Sequence, residues 1–509
     1  MKKFILLLFC FFGINALAQQ KLIKVNRTMN APEEVSIAIN PVHPNCVAAS
    51  SNISNYYYSL NGGITWKEKK VNSKHGVWGD PMVHFDALGN LYYAHLGKNP
   101  EKYFPNWIDK MVVQRINMSY DSCFADASIG FNDGKIQDKE WLSSNLKGTL
   151  YLTWTEFDRY KSKDPKDHSR IRFSQSEDFG TTWAKPIVVS DKEGDCLDGD
   201  STMEGATSCS DSKGNIYVCW SGINKLWFDK STDAGKSFGT DKIIATQYGG
   251  WDVPVRNIFR ANGMPFILCN QSASNFKDRL YVNWTDTRNG DADIFLKHSD
   301  DGGETWSNDI RVNNDVLGNG ADQFSNNFSI DAVTGELYIV FYDKRNSQTG
   351  AYLDVYLAKS ADGGNHWTNY RITSKPFPAP GNSEFFGDYI DVDANNGIIM
   401  PIFTSNDNGQ FSVYTCILDT TLQTNAHSID DIQAVVINDS LYIHAIVPKN
   451  KSFVITVSYN KTNIIISQDG GNETEFVFNA RGFTEAKITL KYGRKKKSFK
   501  VKNKSRLQL

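Results

Sequence analysis

Residues 299–306 read Ser-Asp-Asp-Gly-Gly-Glu-Thr-Trp, and four other stretches repeat the pattern Ser-x-Asp/Asn-x-Gly-x-Thr/Ser-Trp/Phe, with His for Thr in the last. These copies lie at residues 59–66, 176–183, 231–238 and 360–367, and a degraded copy begins at Ser119. In each copy the Asp or Asn side chain is able to cap its own backbone, and the Gly is able to adopt the positive φ of a tight turn. Because the turn returns every 55 to 68 residues, the sequence predicts a repeat architecture.

A second repeat, Gly-x-Leu/Ile-Tyr-x-x-aromatic with some variant members, runs in step with the first. A short strand pattern precedes each of its tyrosines, which fall 57 to 66 residues apart, at Tyr92, Tyr151, Tyr217, Tyr281 and Tyr338. Each unit therefore reads as four strands, A to D, with the repeated turn between strands C and D. Four-stranded units of this period favour the blades of a β-propeller, a ring that leaves no long sheet edge open.

The ends of the repeat region set the predicted number of blades. Weaker strand pairs at residues 35–49 and 389–403 raise the count to seven, with a six-bladed ring as the alternative. Residues 22–25 are predicted to supply the outer strand of the last blade and so to close the ring. We therefore predict an all-β protein with a seven-bladed β-propeller over residues 19–425.

Beyond residue 425 the repeated turns stop and the sequence alternates apolar and polar residues. About six short strands in this region predict a small Ig-like β-sandwich over residues 426–509. Its last residues are basic, from Arg494 onward. These charges either keep a strand edge soluble or form a docking or secretion signal.

The N-terminus carries the features of an export signal. Residues 1–18 combine two lysines, an apolar run and the small-residue site Ala-Leu-Ala, which is typical of a secretory signal peptide. No later segment has the ~20 consecutive apolar residues of a membrane helix. The net charge of −2 gives no electrostatic case for nucleic acid. We expect an exported, soluble monomer.

The cysteines and one acidic loop are candidate disulfide and metal sites. Seven cysteines remain after the signal peptide, an odd and scattered number that does not predict a disulfide framework. Cys196 and Cys209 either bridge across one loop or are buried free thiols. The acidic loop at residues 195–200, Asp-Cys-Leu-Asp-Gly-Asp, is a candidate calcium site because hard cations favour clustered carboxylates. We expect no other cofactor.

Propeller topology separates the repeated turns from any ligand site. The turns join strand C to strand D, so we interpret their Asp residues as scaffold. The opposite face is built from residues that begin strand A or follow strand B. The carboxylates that begin strand A are Glu34, Asp80, Asp138, Glu140, Glu204, Asp322 and Asp388.

The same face also gathers arginines and aromatic residues. Arg159, Arg288 and Arg345 follow strand B in three units. Longer loops add His75, Trp78, Tyr103, Trp107, Trp251, Arg256, Arg260 and Phe385. Carboxylates for acid–base work, arginines for anions and rings for stacking are what a sugar site uses. The alternative is that each Asp/Arg pair after strand B is a repeated ion pair that locks the ring.

The repeated turns are Asp boxes, and residues 33–420 resemble the sialidase superfamily. Trp-Gly-Asp-Pro at 78–81, Trp-Thr-Asp-Thr-Arg at 284–288 and Phe-Tyr-Asp-Lys-Arg at 341–345 are similar to sialidase-like, BNR-repeat exported proteins. So are Asp-Lys-Glu-Trp at 138–141 and Phe-Phe-Gly-Asp-Tyr at 385–389. The family binds the substrate carboxylate with three arginines, the first in its opening strand. Here residues 33–37 read Glu-Glu-Val-Ser-Ile and contain no arginine.

The resemblance implies roles for individual residues. Asp80 corresponds to the acid/base, and Tyr389 with Glu384 to the nucleophile pair. Arg288 and Arg345 correspond to two anion clamps, with Arg159 or Arg256 as the third. Trp78 and Trp251, on long loops without repeat equivalents, are candidate sugar contacts.

Two functions remain open from the sequence. The first is a secreted, sialidase-like glycoside hydrolase that acts on an anionic glycan. The second is a non-catalytic propeller that binds glycan or protein at the cell surface. A shared fold does not decide between them.

Overall fold

The computed structural model describes residues 21–27, 32–103, 107–347 and 349–420, and strands at 427–429, 432–437, 440–445, 453–459, 462–468, 474–479, 485–492 and 495–502. The predicted signal peptide and the predicted domain boundary at residue 425 lie outside this part of the chain. Every regular element within it is a β-strand, and the sheets are antiparallel and mostly four-stranded. The architecture is all-β and consistent with a β-propeller. No helix in the described part is long and apolar enough to cross a membrane.

The described chain begins with a short strand, β1 (Ile23–Lys24). The first sheet then consists of β2 (Ser36–Ile39), β3 (Val47–Ser51), β4 (Asn55–Ser59) and β5 (Lys67–Lys70). The second consists of β6 (Gly79–Phe85), β7 (Leu91–Leu96), β8 (Met111–Ile116) and β9 (Cys123–Ile129). The third consists of β10 (Ile136–Ser144), β11 (Leu150–Phe157), β12 (Ser169–Ser176) and β13 (Ile187–Val188).

Four further sheets follow in the same order. The fourth consists of β14 (Glu204–Ser210), β15 (Ile216–Gly222), β16 (Lys225–Ser231) and β17 (Lys242–Thr246). The fifth consists of β18 (Phe266–Cys269), β19 (Leu280–Asp286), β20 (Asp293–Ser299) and β21 (Ile310–Arg311). The sixth consists of β22 (Gln323–Ile330), β23 (Leu337–Asp343), β24 (Tyr352–Ser360), β25 (Thr368–Arg371) and β26 (Phe377–Pro378). The last consists of β27 (Asp391–Asn395), β28 (Ile398–Asn406), β29 (Phe411–Thr415) and β30 (Leu418–Asp419), together with β1.

These sheets follow one another around a closed cycle. The first strand of each sheet contacts the next sheet, and β27 of the last sheet contacts β2 of the first. The strand β1 pairs with β29, with Ile23 opposite Thr415. This is the pairing that the sequence predicts for residues 22–25.

The second strand of each sheet carries most of the core. All eight residues of β11 are buried, as are all seven of β19. Both faces of such a strand pack against neighbouring sheets, so apolar and aromatic residues make up more than half of its sequence. Trp154 and Trp284, in equivalent positions of these two strands, have no exposed surface.

The repeated turns are held by one hydrogen-bond pattern, seen clearly at residues 299–306. The Ser299 hydroxyl donates to Asp301 Oδ1 (2.8 Å) and accepts the Gly303 N–H (2.9 Å). Asp301 Oδ1 also accepts the Thr305 N–H (2.9 Å), and Oδ2 accepts the Thr305 hydroxyl (2.6 Å). In the last copy His366 Nδ1 replaces that hydroxyl, 2.6 Å from Asp362 Oδ2. The carboxylates are therefore fully used by the turns.

The C-terminal strands form two further sheets. One contains β31 (His427–Ile429), β32 (Ile432–Ile437), β33 (Ser440–Ala445) and β36 (Thr474–Asn479). The other contains β34 (Phe453–Tyr459), β35 (Thr462–Gln468), β37 (Glu485–Tyr492) and β38 (Lys495–Lys502). Buried residues from both sheets, among them Leu441, Ile455 and Ile488, belong to one apolar cluster. Part of the basic tail lies in β38, and Lys504 and Arg506 lie outside the described residues.

Candidate functional site

Three residues at or near the first strands of the first three sheets have an unusual backbone conformation. Glu34, Asp80 and Lys139 have φ of 54°, 52° and 52°, a left-handed conformation that is uncommon for residues other than glycine. Asp80 and Lys139 lie at irregularities where β6 and β10 shift register, whereas the fourth sheet has Gly205 at the same position. Each left-handed residue costs on the order of 1–3 kcal/mol, and such strain concentrates at functional sites.

These residues meet in one buried ion cluster. Lys139 Nζ lies 3.3 Å from Glu34 Oε1 and 3.0 Å from Asp80 Oδ2, and it also contacts Asp388 Oδ2. A guanidinium nitrogen of Arg260 lies 2.8 Å from the same Asp388 oxygen. The Lys139 side chain is 5% exposed, so the ammonium depends on these carboxylates for the solvation that it has lost.

The residues of this cluster line a cavity of about 290 Å³. Trp78 and Trp107 form part of its wall, with ring centroids 4.8 Å apart. The other lining residues are Glu34, Asn52, Ile53, Gly79, Asp80, Leu96, Ile108, Ile136, Asp138, Lys139, Tyr160, Arg260, Phe385 and Asp388. Each of these residues lies in one of three places. It is near the start of strand A, at or beyond the end of strand B, or in a loop that joins two sheets. The cavity is therefore on the face opposite the repeated turns, as the topology predicts.

Two carboxyl groups that line the cavity have pKa values shifted in opposite directions. Burial, reinforced by the Asp80 charge, raises the pKa of Asp138 to about 7. Burial also acts to raise the pKa of Asp388, but Arg260 and Lys139 outweigh it and hold that pKa at about 2. Carboxyl groups driven apart in this way are able to take different roles, one as proton donor and the other as anion.

Burial also acts on Glu34 of the cluster and on two other carboxyl groups, Glu140 and Glu204. Burial raises the pKa of Glu34, Glu140 and Glu204 well above the usual range, with neighbouring carboxylates adding to the effect. Within the described part of the chain, neither carboxyl oxygen of Glu140 or Glu204 has a hydrogen-bond partner. The centre of the ring is thus rich in carboxyl groups whose protonated form burial favours.

The predicted catalytic residues separate in the structure. Asp80 lines the cavity, but Tyr389 is buried behind it, where its hydroxyl donates to the Pro81 carbonyl (3.3 Å) and its ring packs edge-on to Trp141. Burial, with the Glu34 and Asp80 charges, raises the pKa of Tyr389 well above 10, so its hydroxyl stays protonated. Glu384 is exposed. The structure does not bring Tyr389 and Glu384 together as a pair.

The predicted arginine clamps do not converge on the cavity either. Arg288 is tied to Asp286, two residues before it, and packs 4.2 Å from the Phe295 ring centroid. Arg345 repeats the arrangement with Asp343 and Tyr356. Both arginines thus form the ion pair with the preceding Asp that the alternative interpretation of the Asp-x-Arg repeat requires.

The remaining predicted arginines and tryptophans also lie in different places. Arg159 is exposed, and Arg256 lines a second, neighbouring cavity. Trp78 lines the first cavity as predicted. Trp251, in contrast, is 1% exposed and lies beneath Gly205, where a Cβ atom would be 2.5 Å from the indole. Trp251 is therefore part of the scaffold.

The acidic loop does not gather its carboxylates around one point. Asp195 Oδ1 accepts the Thr202 hydroxyl (2.9 Å), Asp198 Oδ2 accepts the Tyr160 hydroxyl (2.6 Å), and Asp200 Oδ1 accepts the Asp252 N–H (2.9 Å). Over the residues that the structure describes, no group of three or more metal-ligating side chains could hold an ion. Cys196 and Cys209 are both buried free thiols.

Half of the residues that line the cavity were predicted from the sequence, but its central cation, Lys139, was not. Lys139 lies between Asp138 and Glu140, which were recognised as carboxylates that begin strand A. The available signal was positional, since Lys139 occupies the same place in β10 as Asp80 does in β6. Tyr160 carried no repeat signal and was also missed.

No protein-family model and no curated protein sequence matches the chain. Similar solved structures include a GH93 α-L-arabinofuranosidase of Fusarium graminearum with arabinobiose, at TM-score 0.43 and 10% identity, covering 79% of this chain and 98% of that one. Another is a Hadza microbial sialidase, at TM-score 0.42 and 12% identity, covering 74% of both chains. A third is a protein of unknown function from Dyadobacter fermentans, at TM-score 0.37 and 15% identity, covering 62% of this chain and 91% of that one. None of these likenesses carries an assignment of activity.

Proposed function

We propose that the chain is a secreted glycoside hydrolase that cleaves a glycan in the cavity around Lys139. One observation carries the proposal. Asp138, a carboxyl group with a pKa of about 7, lines the same small cavity as the ion-paired Asp80 and two indole rings. A protonated carboxyl, an ionised carboxylate and aromatic surfaces are the parts that glycosidic bond cleavage needs.

Each residue has a role in this proposal. Asp138 donates its proton to the leaving glycosidic oxygen, because burial keeps the group protonated near neutral pH. Asp80, paired with Lys139, is the carboxylate that attacks the sugar or activates a water. Trp78 and Trp107 stack on the sugar. The cavity of about 290 Å³ has room for about one sugar unit.

A sialidase-like reaction would also require a cationic clamp for a substrate carboxylate in this cavity. Among the described residues that line it, the cations are Lys139 and Arg260, and both are paired with carboxylates. The geometry therefore favours a neutral sugar at the cleavage point. We retain the proposal of an anionic glycan and assign its charge to a neighbouring unit.

The finer features of the fold belong to the same proposal. We propose that the seven sheets between residues 23 and 419 are seven blades of one ring. In this proposal the ring is followed by an Ig-like sandwich over residues 426–509. Residues 1–18 direct export of the chain, and the exported chain is a monomer. Support comes from the cyclic order of the sheets and the apolar cluster shared by the two C-terminal sheets. Sequencing of the exported chain is expected to begin at Gln19, and light scattering is expected to give the monomer mass.

The experiment is a hydrolysis screen with neutral and acidic oligosaccharides, followed by one substitution. Asp138→Asn keeps the size of the side chain but removes the proton that it donates. We expect the rate of cleavage to fall about 10²- to 10⁴-fold, the usual contribution of a general acid. The matched control is Glu177→Gln, an exposed carboxylate on a repeated turn of the opposite face, which should retain the full rate. Equal loss in both variants, or no loss in Asp138→Asn, would refute the assignment.

The second candidate is a non-catalytic propeller that binds glycan or protein. The observation in its favour is that Lys139 and Arg260 are fully engaged by carboxylates, as in a structural lock. A chain that binds glycans but cleaves none in the screen would have this function.

A further inference from the structure

Beside the first cavity lies a second one of about 640 Å³. Its lining comes mainly from residues 252–261, together with Lys161 and Asp198. Arg260 lines both cavities. Asp198 lines the second cavity and accepts the hydroxyl of Tyr160, which lines the first. The two cavities are therefore neighbours that share one wall.

The segment 252–261 that lines the second cavity is held by buried apolar side chains, and other side chains of the same segment are exposed. Val253, Val255 and Ile258 are buried in the apolar cluster between the sheets. Phe259, next in the chain, is 58% exposed. An aromatic ring presented to solvent on an anchored loop is a stacking surface that is already in position for a ligand.

Charge distinguishes this cavity from the first. Lys161 and Arg260 each lie 3.6 Å from Asp198. Arg256 is exposed, and within the described residues no carboxylate lies in salt-bridge distance of its guanidinium. Its side chain runs past Gly350, where a Cβ atom would lie 3.1 Å from Arg256 Cδ. A guanidinium without a carboxylate partner suits a carboxylate or sulfate, which it is able to bind through two parallel hydrogen bonds.

A hydrogen-bond acceptor completes the set. The Asp198 side chain is 3% exposed, and its Oδ1 has no hydrogen-bond partner in the described structure. A buried acceptor left without a donor is costly. A sugar hydroxyl in the second cavity would supply that donor.

We propose that the second cavity binds an acidic sugar unit, carrying a carboxylate or a sulfate, next to the unit held in the first cavity. Arg256 contacts the acidic group, Phe259 stacks on the ring and Asp198 accepts a hydroxyl. The assignment rests on the proposed function, and it makes the substrate an oligosaccharide or polysaccharide with an acidic neighbour to the cleaved unit.

The test is binding of the full mature chain to a printed array of neutral, uronate-bearing, sialylated and sulfated glycans. We expect acidic oligosaccharides to be retained, and Arg256→Gln to weaken their binding about tenfold or more while neutral glycans are unaffected. Lys213→Gln, which removes an exposed cation on the opposite face, is the matched control and should bind as the native chain does. The uronate, sialylated and sulfated arms identify which acidic group is recognised.

Several outcomes would overturn the proposal: no acidic glycan retained, only neutral glycans bound, or the same binding profile for Arg256→Gln as for the native chain. The array reports binding and not cleavage. A chain that binds acidic glycans through Arg256 but hydrolyses none would reject the proposed hydrolase and leave the second cavity assigned. If Asp138→Asn abolishes cleavage but Arg256→Gln changes neither cleavage nor binding, the proposed hydrolase would stand and the assignment of the second cavity would be rejected.

Discussion

The repeated turns and the cavity lie on opposite faces of the sheets, and both contain aspartates. In the turns each carboxylate is satisfied by its own neighbours in sequence. Asp301 accepts hydrogen bonds from Ser299 and Thr305, and these bonds lower its pKa to about 2. In the cavity Asp138 is buried near other carboxylates, and its pKa rises to about 7. The same side chain is thus scaffold where local bonds satisfy it and chemically available where they do not.

The largest difference between the two regions is expected when Lys139, the cation at the centre of the cluster, is removed. Lys139→Met keeps the volume of the side chain but leaves the Glu34, Asp80 and Asp388 carboxyls facing one another. Removing one partner of a buried ion pair costs about 3–5 kcal/mol. Urea unfolding should show a loss of this size, and adding Asp80→Asn should restore part of it.

The control is Lys69→Met, which removes a lysine whose Nζ lies 3.4 Å from Asp121 on the surface. An exposed pair contributes at most about 1 kcal/mol. Equal unfolding midpoints for Lys139→Met and Lys69→Met would show that the cluster does not stabilise the ring.

A smaller effect concerns the pH dependence of cleavage. Asp138 is protonated below a pKa of about 7 and ionised above it. If it donates a proton, kcat/KM should stay level below pH 7 and fall about tenfold for each pH unit above. The Asp198 charge contributes to raising the pKa of Asp138, so Asp198→Asn should move the midpoint of the fall to lower pH. A profile with the same midpoint in both proteins, or one that rises above pH 7, would contradict this role.

The smallest effect is expected at the turns. Asp301→Ala removes the acceptor for Ser299 and Thr305 and should cost about 1 kcal/mol of unfolding free energy. Asp301→Asn should cost less than about 0.5 kcal/mol, because Asn61 Oδ1 in the first copy accepts the Ser59 hydroxyl and the Thr65 N–H, and Asn61 Nδ2 donates to the Thr65 hydroxyl. Urea midpoints of the two variants measure the difference. A larger loss in Asp301→Asn would mean that charge, and not geometry, holds the turn.

How far the sequence predicted the molecule follows the same contrast. The turns were predictable because all their bonds join residues within a few positions of one another. The strands, their order and the pairing of residues 22–25 followed from these turns and from the apolar second strands. The face that carries the cavity followed from the topology alone.

The site was less predictable because its contacts cross the ring. Lys139 and Glu34 are far apart in sequence, and their left-handed backbone leaves no signature in residue type. Arg288 and Arg345 looked like ligand contacts because their Asp partners, two residues earlier, were equally compatible with a site and with a lock. Trp251 was predicted to contact sugar because it lies in a long loop. The sequence does not show that its ring packs against Gly205, and this packing buries it.

The pairing of β1 with β29 has a consequence for how the chain is made. The outermost strand of the last sheet comes from the N-terminal end of the described chain, where Ile23 pairs opposite Thr415. The seam therefore stays open on the ribosome until nearly all of the circle has been translated. An affinity tag fused just ahead of Ile23 would lie against that seam.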